Sequence, residues 1–225
     1  MADIITDLAF DGSTIDGSWY LDTTRFAHDT SWLNGFMNVY TSIGVVLFAV
    51  FIVIGWWIAR SARSSVMTAL IAAPVSAVVA YVINDAIKSV VAEARPCYAY
   101  PGTFLIEKCP PLSDYSFPSN HSVVVAAVTV SLFFVSIRLG VVSAIAALLM
   151  GFSRVYVGAH YPHDVLVGLL VGVLVSLAVT LLAQRYATGL VDRMRGGPLQ
   201  PVLGAPDRDG SEAAAHRVDP AGVGD

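Results

Sequence analysis

The chain is poor in charged residues. Only 13% of its 225 residues are Asp, Glu, Lys or Arg, whereas 56% are hydrophobic. Soluble domains usually carry about a quarter charged residues, so this composition excludes an ordinary water-soluble domain. Two long segments, 37–87 and 119–184, hold only three formally charged residues each. Such segments indicate that much of the chain lies in a membrane.

Clusters of basic residues and of cysteines are lacking as well. The net charge is -4, and the 13 Lys and Arg residues are dispersed along the chain. Binding a phosphate backbone requires many cations at once, so we expect no nucleic-acid partner. Cys97 and Cys109 are the only two cysteines, too few for a disulfide scaffold or a zinc ribbon.

Five apolar stretches come close to the ~20 residues that a helix needs to cross a membrane. They lie at about 37–59, 66–88, 119–137, 140–156 and 163–184. The sequence therefore predicts an all-α, polytopic membrane helix bundle with five transmembrane helices, forming a transmembrane domain over 37–188.

The two ends of the chain differ from this domain. Residues 1–36 interleave aromatic residues with acidic ones, so we expect an extracytoplasmic segment whose amphipathic helix, at about 17–35, lies on the bilayer surface. Residues 189–225 are rich in Gly, Pro, Ala and Asp, so we expect a disordered tail without chemistry.

Arginines predict the orientation. Arg60 and Arg63 lie between the first two helices, Arg138 lies between the third and fourth, and Arg185 follows the fifth. Alternating helices place all of these on one side, which the positive-inside rule assigns to the cytoplasm together with the C-terminus. The N-terminus and the long loop at 89–118 then face outward, and a bacterial plasma membrane is the expected setting.

Cys97 and Cys109 both fall in this outer loop. In an oxidising compartment they would pair, and closing a loop of this size would stabilise the fold by up to about 3 kcal/mol. Two unrelated free thiols are the alternative.

Polar groups are costly in a membrane chain, so the places where they gather are informative. Lys88 and Arg95 are seven residues apart, or two helical turns, which predicts that both project from one face near the outer end of the second helix. Pro96 discourages the helix from continuing through Arg95. Two cations that extend to the membrane interface are the structural alternative.

A second polar cluster, Ser119-Asn120-His121, begins the third apolar stretch. Ser119 is a good helix N-cap, and the free N–H groups of a first helical turn bind anions. His121 lies in that turn. A capping serine beside an unrelated histidine is the structural alternative.

The third cluster joins the fourth and fifth helices. Arg154 offers a fork of donors suited to phosphate oxygens. His160 and Asp164 are four residues apart, so the carboxylate can orient the imidazole and support it as a nucleophile. His163 competes for this role but lacks the four-residue relation to Asp164.

All three clusters fall on the outer side of a topology that was derived from other arginines. Three cations, two histidines, a carboxylate and a helix N-terminus at one membrane face predict a pocket for a phosphate group.

The arrangement K-x6-R-P, P-S-x-H and S-R-x5-H-x3-D, from Lys88 to Asp164, resembles the three-part signature of the PAP2 superfamily of integral-membrane lipid phosphatases. The segment 151–166, the interfacial N-terminal helix and the short length are most similar to the bacterial undecaprenyl-diphosphate phosphatases of that superfamily. Asn120 is a departure, because the commonest family form has Gly at this position.

The resemblance implies a metal-independent hydrolase without a cofactor. His160 would attack phosphorus to give a phosphohistidine, with Asp164 hydrogen-bonded to its ring. His121 would protonate the leaving oxygen and then activate water. The phosphoryl oxygens would be held by Lys88, Arg95, Ser119, Asn120 and Arg154.

The implied substrate is a lipid phosphate, with polyprenyl diphosphate first. Phosphatidic acid, phosphatidylglycerophosphate and a polyprenyl-phosphosugar phosphate stay open, as does the oligomeric state. A channel or transporter is the alternative from a different class. It predicts polar groups throughout the membrane depth, whereas here they lie at one face, with Asn84 and Asp85 slightly deeper. Vanadium haloperoxidases have a similar anion pocket, although they are usually soluble and larger.

Overall fold

The computed structural model describes residues 11–205. The chain in this range forms ten helices and no strand. The helices are α1 Ser13–Asp29, α2 Ser31–Ile43, α3 Val45–Ala59, α4 Ser64–Val91, α5 Pro96–Ala99, α6 Asn120–Val135, α7 Ile137–Tyr156, α8 Pro162–Tyr186, α9 Thr188–Arg195 and α10 Gln200–Leu203. The predicted all-α membrane bundle is confirmed, and the chain is a multi-pass membrane protein.

The number of membrane crossings depends on how the shorter helices are counted. Within residues 11–205, three helical segments are long and apolar enough to span a bilayer by themselves: α4 with the short α5, then α7, then α8. Helices α2 and α3 meet this criterion together but are bent by 60°. Helix α6 is apolar but only 16 residues long. The five crossings stay a prediction, in which the bent pair and α6 supply the remaining two.

The limits of the N-terminal helices differ from the expected ones. A single interfacial helix was expected at about 17–35, whereas α1 ends at Asp29 and α2 begins at Ser31. Thr30 separates them with non-helical backbone angles (φ -109°, ψ 49°). The exposed aromatic rings of both helices fit a membrane surface, since Trp19 is 65% and Trp32 80% exposed.

Helices α4, α6 and α8 pack against one another more extensively than any other set. Two glycines on α8 allow this close approach. A Cβ atom at Gly168 would lie 2.7 Å from the carbonyl oxygen of Ser119, and one at Gly172 would collide with the carbonyl oxygen of Val123. Small residues in this position let two backbones meet where lipid provides little hydrophobic drive. The start of α6 is thereby held beside the start of α8.

The segment after α8 corrects the expectation of a disordered tail from residue 189. Helices α9 and α10 lie within residues 188–203, and Arg195 at the end of α9 is fully buried. Its guanidinium donates to the carbonyl oxygens of Arg60 (2.7 Å), Ala62 (2.8 Å) and Ala205 (2.8 Å). Composition alone missed this ordering because the acceptors are backbone groups. Residues 206–225, the rest of the expected tail, lie outside the described residues.

Candidate active site

The three polar clusters meet at one end of the bundle. The end of α4, the start of α6 and the start of α8 lie there, together with the loop that joins α5 to α6 and the short loop before α8. Hydrogen bonds connect residues from all three clusters.

His160 and Asp164 form a buried pair. His160 Nδ1 lies 3.2 Å from Asp164 Oδ2, and both side chains are almost fully buried, with exposures of 2% and 0%. Asp164 Oδ2 also accepts hydrogen bonds from the backbone N–H of Tyr161 (2.8 Å) and from the Ser116 hydroxyl. A carboxylate held by these donors favours a proton on Nδ1 of His160, which leaves the lone pair on Nε2.

The loop before α8 gives His160 its position. Gly158 has a positive φ of 85°, which a residue with a side chain adopts only at a cost. The turn directs the N–H groups of Ala159 and His160 onto the carbonyl oxygen of Arg154, at 3.0 and 3.3 Å. Tyr20 of α1 donates its hydroxyl to the carbonyl oxygen of Gly158 at 3.1 Å. The nucleophile candidate therefore lies on a loop that is held by hydrogen bonds to α1 and to α7.

Arg95 is the cation nearest to His160. Its Nη1 lies 3.5 Å from His160 Nε2 and donates to the carbonyl oxygen of Ala159 at 2.9 Å. Its Nη2 pairs with Asp114 Oδ1 at 2.9 Å. Lys88 Nζ lies 3.8 Å from the same oxygen and donates to the carbonyl oxygen of Tyr115 at 2.8 Å.

The expectation that Lys88 and Arg95 share one helical face is corrected here. Helix α4 ends at Val91, and Ala92 follows in the left-handed conformation (φ 51°). Arg95 then has extended backbone angles directly before Pro96, as steric contact with a proline ring favours. The two cations still converge, because both reach Asp114 in the outer loop.

Arg154 lies at the end of α7 and is only 4% exposed. Its two terminal nitrogens pair with both carboxylate oxygens of Glu107, at 2.7 and 3.2 Å, and Nη1 also donates to Thr41 Oγ1 at 2.7 Å. Its buried Nε has no hydrogen-bond partner among the described residues. An unpaired buried donor costs free energy, so this nitrogen is ready to meet an anion.

Ser119, Asn120 and His121 open helix α6. Ser119 occupies the N-cap position, but its hydroxyl accepts a hydrogen bond from Ser122 Oγ (3.1 Å) rather than capping the helix. Its backbone N–H donates to the carbonyl oxygen of Asp164 at 3.1 Å. Asn120 Oδ1 accepts from Asn84 Nδ2 at 2.6 Å. The expected anion-binding turn thus lies directly beside the His160 pair.

His121 is half-buried in the first turn of α6. Among residues 11–205, neither its ring nor the Arg154 side chain is hydrogen-bonded to His160. The structure therefore connects Arg95, Ser119 and Asp164 with His160 through short chains of hydrogen bonds, and Lys88 through its ion pair with Asp114. The side chains of His121 and Arg154 act on His160 through their charge, without hydrogen bonds to its ring.

Cys97 and Cys109 form a disulfide with their Cα atoms 6.0 Å apart. The bridge closes the part of the outer loop that carries Glu107, and Asp114 follows five residues after Cys109. The loop residues that pair with the site cations are therefore attached to a cross-linked segment.

The electrostatic environment keeps His160 neutral. Burial lowers the pKa of His160 well below its ordinary value, and the positive charges of Arg95, Arg154 and Lys88 lower it further. A neutral imidazole with its lone pair on Nε2 is the nucleophilic form.

Sequence reasoning missed the anionic partners of the site. Ser116, which donates a hydrogen bond to Asp164, was missed as well. The acids are Glu107 and Asp114, which pair with the cations, and Glu93, which lies beside His163. The scarcity of charge was the available signal, since these three acids were among the few charges between Lys88 and Asp164 without a role. Their spacing carries no information because the loop is irregular.

Comparisons with known proteins agree with the signature. Residues 69–187 match the PAP2 superfamily. An undecaprenyl-diphosphatase of Sulfolobus acidocaldarius is 39% identical over 99 residues, which cover 44% of this chain and 47% of that protein. The undecaprenyl-diphosphatase BcrC of Bacillus subtilis is 33% identical over 148 residues, which cover 65% of this chain and 73% of that protein.

A third relative has a different kind of name. The bacitracin transport permease protein BcrC of Bacillus licheniformis is 28% identical over 165 residues, which cover 68% of this chain and 75% of that protein. The chain thus spans about half the length of the first relative and about three quarters of the other two. No solved structure matches the chain significantly.

Proposed function

The chain belongs to the PAP2 superfamily, and we propose on this basis that it is a membrane lipid phosphatase that converts undecaprenyl diphosphate to the monophosphate. The observation that carries the proposal is the buried His160–Asp164 pair. The Nε2 of this pair lies 3.5 Å from the Arg95 guanidinium, which supports a nucleophile and a phosphate-binding cation acting side by side.

The proposed reaction gives each of these residues a role. His160 Nε2 attacks the terminal phosphorus, and the bond from that phosphorus to the bridging oxygen breaks. His121 protonates the leaving lipid phosphate, and Asp164 stabilises the cationic phosphohistidine through Nδ1–H. Water activated by His121 then attacks phosphorus, which releases inorganic phosphate and restores the neutral imidazole.

Lys88, Arg95 and Arg154 hold the phosphoryl oxygens during both steps. Their loop partners Asp114 and Glu107 occupy these cations in the structure, so an arriving phosphate displaces carboxylates of like charge. The unpaired Nε of Arg154 adds one more donor. Because the chain supplies this positive charge, the reaction needs no metal ion.

Undecaprenyl diphosphate is chosen because two relatives bear the name of its phosphatase. The site lies at the end of the bundle, where a lipid phosphate at headgroup depth can reach it. By the arginine pattern this end faces away from the cytoplasm.

Phosphate release from a panel of lipids tests the proposal. Purified protein with EDTA and no added metal is given undecaprenyl diphosphate, phosphatidic acid, phosphatidylglycerophosphate and a polyprenyl-phosphosugar phosphate. We expect turnover that is fastest with the diphosphate, and a phosphoenzyme that His160→Ala abolishes. His28→Ala, which alters an exposed histidine paired with Asp29, is the matched control and should retain activity.

Two outcomes would contradict the proposal. Turnover that requires a divalent metal contradicts the metal-free mechanism, and a His160→Ala variant that still forms phosphoenzyme contradicts the nucleophile. The same assay addresses a transport function, which the name of the Bacillus licheniformis relative raises. Transport needs two compartments, whereas hydrolysis proceeds on solubilised protein. Phosphate release in this assay therefore reports hydrolysis and not transport.

A further inference from the structure

His163 stands next to the proposed nucleophile pair but belongs to a separate cluster. Its Nδ1 lies 2.8 Å from Asp16 Oδ1 of α1. Its Nε2 lies 3.2 Å from Glu93 Oε1 and 3.4 Å from Asp164 Oδ1. The side chains of Glu93 and Asp164 are fully buried, and that of His163 is 12% exposed.

This cluster has an excess of negative charge. Three carboxylates surround one imidazole, so even a protonated His163 offsets only one of the three charges. In the described part of the chain, the ion pairs of Asp16, Glu93 and Asp164 are all with His160 or His163. Buried charge without compensation is costly, which favours a bound cation.

A second observation points to a ligand. The two oxygens of Asp164 face different neighbours: Oδ2 accepts the hydrogen bonds on the His160 side, whereas Oδ1 faces His163 at 3.4 Å. This Oδ1 is buried and has no hydrogen-bond partner among the described residues. An unpaired buried carboxylate oxygen is an available metal ligand.

The two distances from His163 are close to those around a tetrahedral metal ion. Metal–ligand bonds of about 2.0–2.2 Å in tetrahedral geometry separate neighbouring ligand atoms by about 3.3–3.6 Å. His163 Nε2 lies 3.2 Å from the Glu93 oxygen and 3.4 Å from the Asp164 oxygen, and the three ligand atoms lie within 4.8 Å of one another. A histidine that binds a metal through one ring nitrogen usually donates the other N–H to a carboxylate or carbonyl group. Asp16, which lies 2.8 Å from Nδ1 of His163, is such a partner.

We propose that Glu93, His163 Nε2 and Asp164 Oδ1 form a binding site for one zinc-like divalent cation, with Asp16 orienting the imidazole and water completing the coordination. Magnesium fits less well, because it prefers six oxygen ligands. The site is not the source of the hydrolytic chemistry. If the proposed function holds, zinc on Oδ1 draws electron density from the carboxylate that supports His160, so zinc lowers kcat.

Metal binding can be measured without substrate. The full chain, purified in detergent and stripped with EDTA, is equilibrated with zinc chloride, desalted and assayed for zinc and protein by mass spectrometry, with titration calorimetry for affinity. We expect one zinc per chain in the wild type and in His28→Gln, the exposed histidine control. Glu93→Gln and His163→Gln should lose stoichiometric zinc, and Asp16→Asn should bind about 10- to 100-fold more weakly.

Size-exclusion profiles and thermal melts of the stripped proteins show whether a variant that loses zinc is still folded. If His163→Gln fails to fold, the isosteric Glu93→Gln remains as the test of the site. Absence of zinc from the wild type, or equal zinc in wild type and Glu93→Gln, overturns the site. No substrate is present, so the result is independent of the phosphatase proposal. In the activity assay, zinc should inhibit the wild type more strongly than Glu93→Gln, and equal inhibition overturns the coupling to kcat.

Discussion

Asp114 stands at the place where a substrate phosphate would meet Lys88 and Arg95. It pairs with Arg95 at 2.9 Å and approaches Lys88 at 3.8 Å, while half of its own side chain remains exposed. A carboxylate in this position competes with the substrate for the same cations. It also shields two buried positive charges from each other before the substrate arrives.

Replacing Asp114 by Asn should therefore improve substrate binding. We expect KM to fall roughly 2- to 5-fold, the range set by a partly exposed ion pair, with little change in kcat. Asp22→Asn is the matched control, because Asp22 pairs with Arg25 on an exposed surface. A KM that rises in Asp114→Asn would show that the carboxylate organises the cations more than it competes for them.

The lowered pKa of His160 predicts the acidic side of the pH profile. A histidine with the ordinary pKa of 6.5 would be half protonated at that pH, whereas His160, whose pKa is lowered by burial and by neighbouring cations, remains neutral there. The group is therefore active down to lower pH and loses its lone pair only below its own pKa.

Arg95→Gln tests this assignment, since it removes the nearest positive charge. The pKa of His160 should rise, and the acidic limb of kcat/KM should move to higher pH while the maximum rate falls. Both proteins are measured on the same substrate, so the ionisation of the substrate cancels in the comparison. An unshifted limb would mean that another group controls it.

Among the elements, the contact of α6 with α8 determines the site geometry. It joins Ser119 to Asp164 by the backbone hydrogen bond of 3.1 Å, and it depends on glycines at the crossing. Gly172→Ala should lower both the melting temperature and kcat, because the added methyl group collides with the Val123 carbonyl and separates the helices.

Gly35→Ala is the control for this change. An added Cβ at Gly35 meets no atom within 4 Å, and alanine favours a helix over glycine, so its stability should stay equal or rise slightly. Equal melting temperatures for the two variants would refute the role of the crossing. Thermal melts in the same detergent provide the measurement.

The cross-linked outer loop is the second element with a separable role. Cys97→Ser should lower stability by up to about 3 kcal/mol, the loop-closure contribution for a segment of this size, while kcat falls less because the cysteines do not touch the reacting groups. Melting temperature and kcat are compared with those of the wild type. A loss of kcat without a loss of stability would contradict this division.

Alkylation of the denatured, unreduced protein tests the pairing itself. An unchanged mass is expected from the disulfide between Cys97 and Cys109. Labelling of both thiols would contradict it.

The sequence predicted the main helices well because membrane thickness fixes their length. The apolar stretches at 66–88 and 163–184 locate α4 and α8 within a few residues. The bend of 60° between α2 and α3 was not predicted, since the apolar stretch at about 37–59 continues through Gly44 without a break. The proposed reacting residues have fixed spacing and could be found, whereas Glu107 and Asp114 reach the site through an irregular loop and could not.

Across the whole molecule, the proposed site and the C-terminal helices lie at opposite ends of α4. Lys88 is near the end of this helix, and Ser64 at its beginning accepts a hydrogen bond from Arg195. A helix of 28 residues is about 42 Å long, which matches a bilayer with its headgroup regions. The two ends should therefore face different compartments.

Fusions to the C-terminus test which compartment is which. Arginines at the α9 end predict a cytoplasmic C-terminus, so a green fluorescent protein fused there should fluoresce in a bacterial host and an alkaline phosphatase should be inactive. The reverse pattern would place the His160 end in the cytoplasm. Fusions after residue 225 leave α9 and α10 intact.

The contacts of Arg195 determine which sequence changes the molecule tolerates around it. Its guanidinium binds five backbone carbonyl oxygens, those of Ala59, Arg60, Ala62, Gly204 and Ala205. Carbonyl groups are common to every residue type, so side-chain replacements at Arg60, Ala62 and Ala205 preserve the acceptors. Gly204 is the exception, because it has a positive φ and an added Cβ would collide with the carbonyl oxygen of Arg60. Insertion or deletion of one residue in either segment displaces them. Apart from Gly204 and the buried Ala59, the segments 59–62 and 204–205 should therefore vary in composition between related proteins while keeping a constant length.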